Sequence, residues 1–294
     1  MSAKSRVLVV GDVIDDVVAR VEMPLRPNTD TPAQILRESG GSAANTAVWL
    51  AAEGVPVDFV GRVGHIDAHR FDVEFAAAGV TAHLEHDTEV ATGTIVIVVE
   101  GEIRSMLSDR GANVELDPTR IPLALLEGAS VVHLTGYSIF HHHKPELMTT
   151  FIETAQVSGC RVMVDASSSG FLQDFGVERF VDLIAGADIL RCNEDEAALL
   201  SGVSDVPQAV GILAKRFPVV VATLGSEGAL VWEDGTLTHV PVAPIDEMVD
   251  PTGAGDSFNA GILAGLASGG SVVQAAHRAA EISAKCVTQL GARP

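Results

Sequence analysis

The stretch from Ser130 to Gly225 restricts the fold most, because apolar runs and helical patterns alternate in it at regular intervals. VVHLTG, RVMVDAS, ADILRCNE and VVVATLG have the length and continuous apolar character of strands buried on both faces. The helices between them are expected to begin near Pro145, Val177 and Glu194. Arg6–Val10 reads as a further strand, followed by a helix over Ala43–Glu53 and a strand near Val57–Val60. Repetition of this kind implies a mostly parallel sheet with helices on both faces. Ligands then gather at the carboxyl ends of the strands, which singles out Asp12, Asp16, Tyr137, Asp165, Asn193, Glu196 and Gly225.

Two stretches interrupt the pattern. Val13–Arg37 has little helical periodicity and carries Pro24, Pro27 and Pro32. Thr92–Asp109 reads as two strands, TGTIVIVV and IRSMLSD, joined by a turn at Glu100–Gly101–Glu102. A flap made of segments near 13–37 and 90–112, inserted into one domain spanning 1–294, is a natural lid, useful where water must be kept from a reactive group.

The segment DPTGAGDSFNAG, Asp250–Gly261, places glycines and acids where a helix begins. After Ser257, Phe258, Ile262, Leu263 and Leu266 share one helical face. Gly253, Ala254 and Gly255 therefore sit at a helix N-terminus, where free N–H groups and the positive dipole end attract anions. There is no Gly-Lys pair, so no P-loop, and the third glycine of a dinucleotide fingerprint is missing. What remains is an anion hole from the N–H groups of Ala254, Gly255 and Asp256, with the Asp256 carboxylate at its edge. That set suits phosphoryl transfer, with Asp256 taking the proton of an attacking hydroxyl. A second cluster, SGGSAANTA at Ser39–Ala47, also opens a helix, and Asn45 in its first turn can read hydroxyls.

These motifs resemble those of the ribokinase-like (PfkB) carbohydrate kinases over essentially the whole chain. GGSAANTA is similar to the family's first signature and DPTGAGDSFNAG to its second; RGAN, ADILRCNEDEAALLSG and TLGSEGAL resemble its lid turn, its Asn-x-x-Glu segment and a nucleotide-site loop. The resemblance implies a three-layer α/β/α domain with a mostly parallel central sheet and a small β-sheet lid. It implies an ATP-dependent kinase acting on a primary hydroxyl of a sugar or sugar derivative. Asp256 would be the base, with Gly253, Ala254 and Gly255 around the γ-phosphate. Asp16, Gly41 and Asn45 would hold sugar hydroxyls, and Asp12, Gly40, Asn113 and Tyr137 join the expected substrate set. Thr223, Gly225, Gly228, Asn193 and Asn259 would line the ATP site, and Asn193 and Glu196 would order Mg²⁺ through water. Asp250 and Thr252 resemble part of a monovalent-cation loop that would take K⁺, completed near Ala284 to Gly291.

The chain departs from that family at several points. Arg70, in GHIDAHR, stands where a second glycine is usual, and Ser42 stands where some sugar kinases carry lysine. Arg104 and Arg110 flank the second lid strand and could meet an anionic group on the substrate. His141, His142 and His143 lack the i, i+4 spacing of a helical metal site. A nucleoside kinase is the nearest alternative, and it needs an apolar slot that a chain with 4% aromatic residues supplies sparingly. A regulator without activity would lack the base or the Asn-Glu pair. With 39 acidic residues against 19 basic ones, a net charge of -20 argues against nucleic acid or anionic membranes as partners. Three cysteines without a CxxC fit a reducing cytoplasm, and MSAKSRVLVVGD enters a strand without the pattern of a secretory leader. The free edges of a lid sheet favour a homodimer paired through the lid.

Overall fold

Strand β1 (Arg6–Val10) divides the core in two: Val7 and Val9 pack with Trp49 and Phe59 on one side of the sheet, Leu8 and Val10 with Phe151 and Phe180 on the other. Period-two alternation does this in every central strand. The computed structural model describes residues 6–101 and 103–294, so Glu102 of the expected lid turn lies outside the described residues. Within them the strands that follow are β2 (Ile14–Val21), β3 (Ala33–Gly40), β4 (Val57–Gly64), β5 (Thr81–Asp87), β6 (Thr92–Glu100), β7 (Ile103–Gly111), β8 (Ala129–Thr135), β9 (Arg161–Asp165), β10 (Ile189–Asn193), β11 (Val219–Thr223), β12 (Ala229–Glu233) and β13 (Thr236–Val240).

Nine of them form one sheet in the order β13-β12-β11-β10-β9-β8-β1-β4-β5. All its pairs are parallel except the β11–β12 and β12–β13 pairs, an antiparallel extension that the apolar-run pattern does not predict. The expected helices at Pro145, Val177 and Glu194 appear as Glu146–Val157, Val177–Leu183 and Glu194–Ser201. The expected helix after Ser257 starts earlier, at Ala254, because Gly253 turns the chain at φ 81° immediately before it. That helix, Ala254–Ala267, packs along the helix Val272–Val287. Gly261 faces the backbone of Ala279, and Gly265 faces Ala275, closely enough that a Cβ on either glycine would overlap them. The last glycine of the motif, Gly261, therefore serves helix packing, as does Gly265 one turn beyond it. Among the described residues no helix is long and apolar enough to cross a membrane.

The lid is a second sheet, ordered β3-β2-β6-β7, in which β2 and β6 run parallel and the outer pairs are antiparallel. Its strands β2 and β3 come from the lid segment expected near 13–37, where the sequence pattern assigns no strands, and β3 runs on to Gly40. Arg70 fills the place of the absent glycine with a function of its own. It holds both oxygens of Asp15 in β2 at 2.7 and 2.8 Å and also reaches Ser39 and Glu74, tying the lid to the helix Ala68–Ala77.

Candidate active site

Strand ends, two helix N-termini and the inner face of the lid converge on a cleft of about 1070 Å³. Asp256 stands in the first turn of the Ala254–Ala267 helix. Ser42 Oγ donates to its Oδ1 at 2.6 Å and Asn45 Nδ2 to its Oδ2 at 2.9 Å. Burial pushes the carboxyl up to about 7, against the pull of these two donors toward the ionised form. Ser42, met in the sequence only as a departure, thus contacts the proposed base directly. The Asn45 amide is oriented from behind, since Arg293 Nε donates to Asn45 Oδ1 at 2.9 Å and leaves Nδ2 facing Asp256.

Not all of the expected anion hole is free. Ala254 N–H donates back to Pro251 O, so Ala254 closes the turn, and the N–H groups of Gly255 and Asp256 are the ones left without an intrahelical acceptor. Gly253 lies against Ala292, with no room for a side chain.

On the lid side, Asp16 projects from β2 into the cleft. Burial pushes its carboxyl up to about 7, opposed by Arg293 and reinforced by Asp12, Glu38 and Asp15. Gly40 belongs to this arrangement indirectly, because any side chain there would overlap the Asp16 carboxylate. Gly41, at φ 98°, lines the cleft next to it. Asp12 is occupied: its carboxylate accepts from the N–H groups of Ser42 and Ala43 and from Arg110 Nη2 at 3.1 Å, so it anchors a helix start and an arginine. Asn113 is likewise a clamp, accepting from Val13 N–H and donating to Val13 O and Arg110 O at the lid's base.

The two lid arginines part company. Arg110 is buried in the cleft with its guanidinium 4.8 Å from the centre of the Tyr137 ring. Tyr137 meets Phe171 edge-on, and Phe171 meets His141 the same way, so the chain's sole tyrosine heads an aromatic wall. Arg104 lies at the far end of β7, outside this cleft, and donates to Thr252 Oγ1 at 2.7 Å and Asp250 Oδ1 at 3.2 Å. Asp250 also accepts from Thr252 and from Gly291 N–H, and these donors hold its carboxyl below the usual range although burial alone would raise it. The residues expected to take a monovalent cation are thus partnered by a guanidinium. His142 and His143 bond to Leu116 O and Glu115 respectively, and no cluster of metal-ligating side chains exists among the described residues.

Across the cleft, Asn193 and Glu196 form a capping box, each side chain accepting from the other's backbone N–H. Burial, then the nearby Asp165, push Glu196 up to about 7. Mg²⁺ keeps several waters and needs few protein oxygens beside nucleotide phosphates; Glu196, Asp165 and Asp195 line the cleft as hard oxygen donors and fit that indirect role. Thr223 accepts from Arg191, while Gly225 and Gly228, at φ 55° and 94°, shape the loop beyond β11. Asn259 is fully buried below the cleft floor and donates to Asp165 Oδ2 at 2.6 Å, so it supports Asp165 and does not line the cavity.

The arrangement has counterparts among known proteins. The family model described as pfkB family carbohydrate kinase matches residues 4–294. A fructokinase from Klebsiella pneumoniae is 30% identical over 277 residues, covering 90% of this chain and 85% of its own. An ATP-dependent ribose-1-phosphate kinase from Halopiger xanaduensis is 30% identical over 296 residues, covering 98% and 94%. The crystal structure of adenosine kinase from Sinorhizobium meliloti superposes with a TM-score of 0.87 at 26% identity, covering 99% of this chain and 96% of the other. The expected fold is the observed one, and the chain belongs to the pfkB family of carbohydrate kinases, which are ATP-dependent phosphotransferases.

Proposed function

We propose that the protein transfers the γ-phosphoryl group of ATP to a primary hydroxyl of a sugar or sugar derivative bound between Asp16, Gly41, Asn45 and Asp256. The observation that carries this reading is Asp256, held by Ser42 and Asn45 beside the free N–H groups of Gly255 and of its own backbone. The acceptor O–H gives its proton to Asp256 while its oxygen bonds to the γ-phosphorus. The bond to the bridging oxygen breaks, and its electron pair leaves on ADP. Mg²⁺ bound near Asn193 and Glu196 would neutralise phosphate charge. A base ionising near 7 is matched to work at neutral pH.

The acceptor is best sought with a panel of sugars, sugar acids, sugar phosphates and nucleosides, following ADP release with Mg-ATP. Turnover with none of them, alongside normal ATP binding, would favour a regulator without activity. Asp256→Asn should keep nucleotide binding and lower kcat by roughly 10²–10⁴-fold; a variant turning over at the wild-type rate would falsify the mechanism.

The aromatic wall favours a second acceptor class. Tyr137 and Phe171, with Ile95 and Met106 opposite, give an apolar slot beside Arg110 that a nucleobase would fill. Preference for a nucleoside over the free sugar in the panel supports it, and equal or better use of the sugar refutes it. The lid leaves Ile35, Ile103 and Leu107, on the face turned away from the cleft, more than 60% exposed, which supports a homodimer covering that face. A dimer mass in light scattering is expected at micromolar concentration.

A further inference from the structure

We infer that Arg191 contacts the transferring phosphoryl group and is a catalytic residue of the phosphotransfer. The inference rests on the kinase reading above.

Arg191 is the middle residue of β10, and its side chain turns into the cleft while remaining only 7% exposed. Its guanidinium is anchored on one side. Nη1 donates to Asp165 Oδ1 and Oδ2 at 3.2 and 3.3 Å, and Nη2 to Thr223 Oγ1 at 3.1 Å. Asp165 is itself fixed by Asn259 and by Ser167 N–H. A guanidinium carries five N–H donors. These contacts leave one Nη2 proton over, and Nε–H is buried with no partner. Such donors rarely stay unmatched unless a ligand completes them.

The tip of the guanidinium, which carries the spare Nη2 proton, lies next to the anion hole. A methyl placed on Gly255 would lie 3.4 Å from Nη2 and 3.5 Å from Nη1. A side chain at position 255 would thus touch the guanidinium, which places Arg191 beside the residue whose N–H would face the γ-phosphate.

Charge selects the same residue. Seven carboxylates line the cleft against two guanidinium groups, Arg110 and Arg191, and no lysine. Arg110 sits at the acceptor end, committed to Asp12 and the Tyr137 ring. Arg191 is therefore the fixed positive charge left at the phosphate end, where a strongly anionic nucleotide must settle. During transfer, charge spreads over the non-bridging oxygens of the phosphoryl group. A planar fork with spare donors can bond two of them while the acceptor's proton goes to Asp256 and the electron pair of the broken bond leaves on ADP. A purely structural ion pair would require neither the spare donors nor the approach to Gly255.

The test separates the γ-phosphate from the rest of the nucleotide. Binding of Mg-ADP and of the non-hydrolysable Mg-AMP-PNP is measured by titration calorimetry for wild type, R191Q and R191K. R191Q is expected to lose on the order of 10–100-fold in AMP-PNP affinity, the worth of charge-assisted hydrogen bonds, with ADP affinity unchanged. R191K retains the pairing with Asp165 and should fold even where R191Q does not. It is expected to recover part of the AMP-PNP affinity, again with ADP unaffected. Parallel losses for both nucleotides, or no selective loss in either variant, would overturn the assignment and leave Arg191 a structural partner of Asp165. A wild-type protein that binds neither nucleotide overturns the kinase reading itself, and this assignment with it.

Discussion

Replacing Ser42 with alanine should change the pH at which the enzyme works more than its rate at its best pH. Ser42 Oγ donates to Asp256 Oδ1 at 2.6 Å, a bond that favours the ionised carboxylate. Removing the donor must therefore raise the carboxyl's pKa further. A hydrogen bond to a charged group is worth about 1.5–3 kcal/mol, and one pKa unit corresponds to about 1.36 kcal/mol. The smaller figure moves Asp256 from about 7 to roughly 8. At pH 7 the ionised fraction then falls from about half to about a tenth, so kcat/KM drops roughly fivefold, while near pH 9 the variant approaches wild type. The assay is a pH profile of kcat/KM with the acceptor found in the panel, comparing the acid limbs of the two proteins. An acid limb that stays in place, or a loss of equal size at every pH, would refute the reasoning. Either result would mean that Asp256 is not the titrating base or that Ser42 does not tune it.

Two further substitutions test other parts of the structure. Gly261→Ala puts a methyl into the backbone of Ala279; the overpacking should cost about 1–3 kcal/mol, seen as a Tm lowered by several degrees with the activity of the folded fraction retained. Arg104 supplies positive charge to Asp250 and Thr252, so KCl is expected to leave wild-type activity unchanged and to stimulate Arg104→Ala; stimulation of wild type by KCl at constant ionic strength would contradict this.

The parallel strands were readable because each is buried on both faces and so is mainly apolar: RVMVD and VVVAT coincide with β9 and β11, and VVHLT with the last five residues of β8. The lid strand β3 is largely solvent-facing and β2 only partly buried; both interleave polar residues, and β2 also pairs with the distant β6, which no local pattern records. Asp256, Asn45 and Asp16 were legible from the glycine-rich helix starts and from position near a strand end. Arg104 and Arg110 looked alike in sequence because both have the same parity on one strand, yet six residues of strand separate them by about 20 Å. One therefore reaches the cation-loop residues and the other the cleft. Arg293 carries no local signal at all. It meets Asn45 across 248 positions of sequence, and only the folded chain brings them together.

Asp16 belongs to the lid strand β2, while Asp256 belongs to a helix on the main sheet. The two carboxylates proposed to meet the acceptor are thus mounted on different parts of the molecule. On that proposal, a compound that fits the floor but offers nothing to Asp16 would give the lid no reason to shut, and would escape before chemistry begins. Discrimination between acceptors would then be exerted in the commitment to close, and poor substrates should reveal themselves by fast departure more than by slow reaction.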